Sequence, residues 1–247
     1  VIKNRLRKNS KKKSSYASNK IEGNPLTEKQ ANEAIDSDPH KHFLKPEQEV
    51  RNYFLALNFL EEKLKKKEAF SKEMILEVQA MVEKGASKEK IGLRGPMPPG
   101  MLFAVYDSET GTAEYIPPEY IDIPDLLDEL VEYVNTTDDH PLIIAAVVHY
   151  QLVTIHPFED GNGRIARLLV NYILFRNGYP MIVIHTEDKQ NYLRVLHQCD
   201  VAVGLTPSDG ANASLDKIRP FVGYLNDCAE RALRIGIKAA KGGNIEE

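Results

Sequence analysis

His156-Pro157-Phe158-Glu159-Asp160-Gly161-Asn162-Gly163-Arg164-Ile165-Ala166-Arg167, with the apolar run Leu142 to Tyr150 before it, decides how this chain folds. The run reads as a buried helix opened by Pro141, which is tolerated in a first helical turn because an N–H there lacks a partner in any case. After the quoted stretch, Ile165, Leu168, Leu169, Tyr172 and Phe175 recur at helical spacing along one side of a second helix, and Asn177-Gly178 followed by Pro180 stops it. His156 to Gly163 is therefore the loop between two helices.

The loop concentrates groups suited to phosphate. Gly161 and Gly163 permit backbone turns closed to other residues, so successive N–H groups converge on an anion at the start of the second helix, where the helix dipole adds to the attraction. Arg164 and Arg167 share a helix face and can fork two phosphates of one polyphosphate. Asp160 alone cannot chelate a metal, but it can hold Mg²⁺ whose remaining positions are filled by substrate phosphates and waters. His156 is the loop's proton acceptor near neutral pH. Each feature also has a plain reading. A histidine can end a helix, Gly-Asn-Gly can be a turn, Asp160 can cap its own turn, and two arginines can be a solvated face. Their coincidence within twelve residues favours chemistry.

The string resembles the signature of the Fic-domain family, HxFx(D/E)GNGRxxR, at every fixed position. The resemblance implies a mainly α, Fic-type helical bundle with a small β-hairpin flap beside the active-site loop. It also implies transfer of AMP from ATP to a Ser, Thr or Tyr hydroxyl of a target protein. His156 is then the base, Phe158 a core anchor, and Asp160 the Mg²⁺ ligand. Gly161, Asn162 and Gly163 form the anion hole, and Arg164 and Arg167 bind the β- and γ-phosphates. Gly163, where a phosphate-transferring branch carries Lys, points to AMP transfer. Upstream, Ser18-Asn19-Lys20-Ile21-Glu22-Gly23-Asn24 resembles the family's inhibitory motif (S/T)xxxE(G/N). It implies that Ser18 caps a short helix while Glu22 pairs with Arg167 and fills the γ-phosphate position. A capped helix followed by its stop is the plain alternative.

Elsewhere, helical patterns cover Glu47 to Lys66, Ser71 to Glu83, Pro124 to Asn135, Asn191 to Val203 and Leu215 to Lys238. Residues 101–116 read as a hairpin around the turn-rich Asp107 to Gly111. By resemblance it is the flap that aligns a target segment, with Phe103, Ala104 and Val105 as the pairing edge. Tyr192 and Asp200 resemble a segment that closes over adenine and ribose, although an amphipathic helix with Tyr192 in the core fits equally well. We expect a helical extension over 1–70 and a catalytic domain over 71–247.

The 247 residues are 42% hydrophobic and carry a formal charge of −4. That content supports a sizeable core, and the charge gives no general attraction to nucleic acid, so none is expected as a partner. The basic run Lys3 to Lys13 reads as a solvated or mobile end. Cys199 and Cys228 have neither zinc nor disulfide-framework spacing. No signal-peptide pattern or membrane-length apolar run is legible, so no membrane partner and a cytoplasmic location are expected. The chain begins at Val1, which leaves open what precedes it, and homo-oligomerisation is also open. Two rival functions use the same motifs: a hydrolase that removes AMP from a modified protein, and a catalytically idle nucleotide-sensing module.

Overall fold

Hydrophobic burial organises the chain around two consecutive helices. A computed structural model describes residues 2–87, 90–106, 111–204 and 214–242. In chain order the elements are α1 (Ile2–Ile21), α2 (Glu28–Asp36), α3 (Lys45–Lys65), α4 (Lys72–Glu83), β1 (Val105–Tyr106), β2 (Ala113–Tyr115), α5 (Ile123–Thr136), α6 (Pro141–Ile155), α7 (Asn162–Arg176), α8 (Lys189–Val203) and α9 (Leu215–Ala240). A 3₁₀ turn, Thr186–Asp188, precedes α8. α6 is apolar on nearly every face and is accordingly surrounded, with Ile144, Ala145, Val148, Leu152 and Ile155 all buried. α7 packs along it and buries the predicted Ile165, Leu168, Leu169 and Tyr172, and Val170, Ile173 and Leu174 besides.

The same core takes Tyr53, Ala56, Leu57 and Leu60 from α3, Met74, Ile75, Val78 and Val82 from α4, and Phe221 and Leu225 from α9. Thus α3, which lies before residue 70, shares one hydrophobic cluster with the motif helices. A small satellite of Ala31, Ile35 and Val50 joins α2 to α3. The sequence reading missed α2, whose start is marked by a capping box between Thr27 and Gln30.

The N-terminus departs from expectation. Lys3 to Lys13 belongs to one twenty-residue helix rather than a mobile end. Arg7 pairs with Glu61 at 3.0 Å and lies over the Phe175 ring, Lys11 also pairs with Glu61, and Lys8 and Lys12 pair with Asp36. A basic helix face is stabilised here by acids on α2 and α3, partners that no local pattern reveals. Ser18 therefore lies in the last turns of α1 and is no N-cap.

β1 and β2 pair antiparallel, with Val105 opposite Tyr115 and Tyr106 opposite Ala113. Of the predicted turn, Asp107 to Gly111, residues 107–110 lie outside the described residues. No described helix is long and apolar enough to cross a membrane.

Candidate active site

α6 ends at His156 in the left-handed conformation, φ 49° and ψ 57°, a geometry that costs a non-glycine residue about 1–2 kcal/mol. The turn reverses the chain between α6 and α7 and leaves the imidazole within the field of Glu22 and Asp160. His156 Nδ1 lies 3.3 Å from the Val153 carbonyl, which can only accept, so Nδ1 carries the proton and Nε2 is left as the acceptor. The Tyr115 hydroxyl donates to that same carbonyl. Burial pushes the His156 pKa down to about 4, and Arg94 adds to this while Glu22 and Asp160 oppose it. The ring is therefore neutral at physiological pH.

Phe158 is fully buried and anchors the loop, worth about 1.5–3 kcal/mol of apolar burial. Asn162 stitches the loop from within: its Oδ1 accepts from Phe158 N at 3.1 Å and its Nδ2 donates to Phe158 O at 2.8 Å. Its side chain is thus committed to the loop, and only its main chain is left to contribute to an anion hole. Gly161, at φ 87°, is the N-cap of α7, and a Cβ there would meet Glu83 Oε1 at 2.8 Å. Gly163 marks a close approach of Glu22 rather than the predicted turn. It lies inside α7, and a Cβ would stand 2.5 Å from Glu22 Oε1 and 3.1 Å from Arg167 Nη1.

The two arginines are buried and differently held. Arg164 Nη2 donates to Glu83 Oε1 at 2.9 Å and to Asp160 Oδ1 at 3.1 Å. Burial raises the Glu83 pKa against the pull of Arg164. Arg167 sends Nε to Ser18 Oγ at 2.8 Å, Nη2 to Ser18 O at 3.0 Å and to Glu22 Oε1 at 2.6 Å, and Nη1 to Tyr192 OH at 3.3 Å. Burial works against the Arg167 charge, but the Glu22 carboxylate, foremost among its neighbours, holds its pKa above the usual value. A carboxylate thus already occupies the space beside the first turn of α7.

Asp160 Oδ1 accepts from Gly161 N at 2.7 Å, and Oδ2 faces Lys90 Nζ at 3.2 Å. Burial opposes ionisation of Asp160, yet Arg164, Lys90 and the Gly161 N–H together lower its pKa. Among the described residues no group of three His, Cys, Asp or Glu side chains could hold a metal. One ionised carboxylate whose outer oxygen already faces a cation suits Mg²⁺ only as a single protein ligand, with phosphate oxygens and waters completing the shell.

Residues 69–174 match the Fic/DOC family. A solved Fic-domain-containing signalling protein from Bacteroides thetaiotaomicron is 39% identical, with the alignment covering 100% of this chain and 92% of that one at a TM-score of 0.88. The chain belongs to the Fic/DOC family. Protein adenylyltransferase Fic of Nematostella vectensis is 30% identical over 88% of the chain and 47% of its own length. Caenorhabditis elegans Fic-1 superposes with a TM-score of 0.73 at 29% identity, covering 93% of this chain and 63% of that one. The chain spans less than half the length of the curated relatives named protein adenylyltransferase that it matches across most of its own length.

Against this Fic frame, His156, Asp160, Gly161, Gly163, Arg164 and Arg167 surround one helix start, and Ser18 and Glu22 reach it from α1. Tyr192 does not face it as a nucleotide wall. It is 2% exposed, its hydroxyl lies 2.8 Å from His149 Nε2, and its ring packs with Phe221 and Tyr224, so it supports Arg167 from the core. Asp200 Oδ1 accepts from Tyr150 OH at 2.8 Å. Phe103 brings the flap to the site, its ring centroid 5.5 Å from that of His156. Ala104 immediately precedes β1, and Val105 opens it. Sequence reasoning missed Glu83, Lys90 and Arg94. Only Glu83 left a signal, an acid ending the apolar pattern of α4.

Proposed function

We propose that this Fic protein transfers AMP from ATP to a hydroxyl of a target protein and that Glu22 holds it in a resting state. One observation carries the reading: the Glu22 carboxylate lies against Gly163 at the α7 N-terminus, bound by Arg167 at 2.6 Å, so the place already binds an anion. A helix start with two buried arginines recognises phosphate by the same physics. In the reaction the target hydroxyl oxygen attacks the α-phosphorus, the bond from that phosphorus to the α–β bridging oxygen breaks, and pyrophosphate leaves. His156 Nε2 takes the hydroxyl proton, its opposite nitrogen held by Val153 O. Mg²⁺ bound at Asp160 would neutralise phosphate charge. Arg164 and Arg167 orient the leaving phosphates, and the closure of Glu22 over Arg167 opposes them by occupancy and by like charge.

The target is a protein segment in extended form. Support comes from the flap, where Met101, Leu102 and Tyr106 are exposed next to the short strand pair. Extended chains add to such edges through main-chain hydrogen bonds with little sequence reading. The test is mass spectrometry of proteins incubated with the Glu22→Gly variant and ATP. Appearance of AMP on Ser, Thr or Tyr side chains supports transfer, whereas hydrolysis of a pre-modified protein without incorporation overturns it.

A further inference from the structure

Resting on the assignment of His156 as the proton acceptor, we infer that Arg94 is a positioning residue that locks the His156 main chain and couples it to the flap. Arg94 lies in the segment between α4 and β1 and is 5% exposed. Its Nε donates to His156 O at 2.8 Å, its Nη2 to Pro118 O and, at 3.5 Å, to Ile155 O, and its main-chain N to Pro157 O at 2.9 Å. The guanidinium also lies 4.5 Å over the Phe103 ring, the ring that approaches His156. One buried fork therefore joins the last carbonyls of α6, the left-handed residue and both sides of the flap, since Phe103 precedes β1 and Pro118 follows β2.

A bare C-terminal cap does not call for this arrangement. Helix ends are usually closed by a glycine or by an exposed basic side chain that stays hydrated. Here a guanidinium is buried onto carbonyls, which costs desolvation with no carboxylate among the described residues in direct contact to offset it. Burial accordingly lowers the Arg94 pKa, against the field of Glu119. What the arrangement provides is geometry. His156 sits in a strained conformation with φ 49°, and the planar fork restricts the rotation of its carbonyl. A target strand that shifts Phe103 or Pro118 would move the same fork, so seating of the target and aim of the imidazole are linked.

The charged and titratable groups facing His156 are Arg94, Tyr115 from the flap, Glu22 after α1 and Asp160 in the loop. Two variants separate charge from fork. Arg94→Met removes both, and Arg94→Lys keeps the cation while losing the planar pair of donors. Each is made in the full chain carrying Glu22→Gly. Three readouts are taken: ATP affinity by calorimetry, single-turnover AMP incorporation from labelled ATP, and titration of the histidine resonances without nucleotide.

Arg94→Lys is expected to leave ATP affinity and the His156 titration unchanged while incorporation falls on the order of 10²-fold, the loss typical of a catalytic group misplaced by about 1 Å. Arg94→Met is expected to lose incorporation and to shift the His156 titration to higher pH, because a neighbouring cation has gone. Unchanged incorporation in Arg94→Lys overturns the proposal. So does a parallel fall in incorporation and ATP affinity, which marks general damage. Failure of the underlying reading is seen separately, as incorporation that survives His156→Ala.

Discussion

Replacing Glu22 by Gly isolates the resting contact. Arg167 offers five N–H donors, of which three go to Ser18 Oγ, Ser18 O and Tyr192 OH, all contributed by residues that remain in the variant. The guanidinium therefore stays in place while the donor now given to Glu22 Oε1 at 2.6 Å turns to the incoming phosphate. A hydrogen bond between charged groups contributes about 1.5–3 kcal/mol. Glu22 is 43% exposed, so solvent screening reduces this to about 1–2 kcal/mol. Because closure and phosphate binding at Arg167 exclude one another, that energy appears as coupling: the ATP concentration for half-maximal incorporation should fall about 5- to 30-fold. Removing the like charge adds to the effect. The assay is incorporation of label from α-labelled ATP, titrated in ATP and in Mg²⁺, for wild type, Glu22→Gly, Arg167→Ala and the double variant. The double variant should lose most of the gain, since an arginine that is absent cannot reward removal of its blocker. If Glu22→Gly incorporates no more AMP than wild type across both titrations, the resting-state reasoning is refuted and a hydrolytic use of Glu22 becomes the better account.

His156→Ala should lower incorporation by at least about 10²- to 10⁴-fold with ATP binding retained, as calorimetry beside a rate assay will show. Asp160→Ala should abolish the Mg²⁺ dependence of turnover, and retention of the wild-type metal titration would place the ligand elsewhere. Ser18→Ala removes an anchor of Arg167 rather than a helix cap, leaves the buried Nε–H without its acceptor, and should weaken ATP binding in the Glu22→Gly background. Phe158→Ala should lower unfolding stability by about 3–5 kcal/mol, read from denaturant midpoints, because the ring is fully buried beneath the loop. Acid should destabilise the fold early. Burial lowers the pKa of His149 to about 3 and of His156 to about 4. Their contribution is complete above about pH 6.5, where both states are neutral, and is lost as pH falls below it, at up to about 1.4 kcal/mol per pH unit per histidine. A flat unfolding midpoint between pH 7 and pH 5 would contradict both burials.

Residues 141–176 were legible as helix, loop and helix because their information is local. The continuous apolar run of α6, the glycine at 161 and the Asn177-Gly178 stop act within a turn or two of themselves, and twelve adjacent residues can be gathered at one helix start by a single reversal. The hairpin was legible for the same reason. α1 was not, since Lys8, Lys11 and Lys12 look like a solvated run until Asp36 and Glu61 are placed opposite them. The pairing of Glu22 with Arg167 was anticipated by resemblance to a motif, not by spacing, because 145 residues separate the partners. Tertiary structure also decided that Gly163 lies where Glu22 makes its close approach and not in a turn, that Tyr192 belongs to the core, and that Arg94 closes the end of α6. Each of these is a contact between segments far apart in the chain. Hydrophobic periodicity reports which face of a helix is buried but not which element covers it, and long-range polar pairs form only after that covering has been settled by packing.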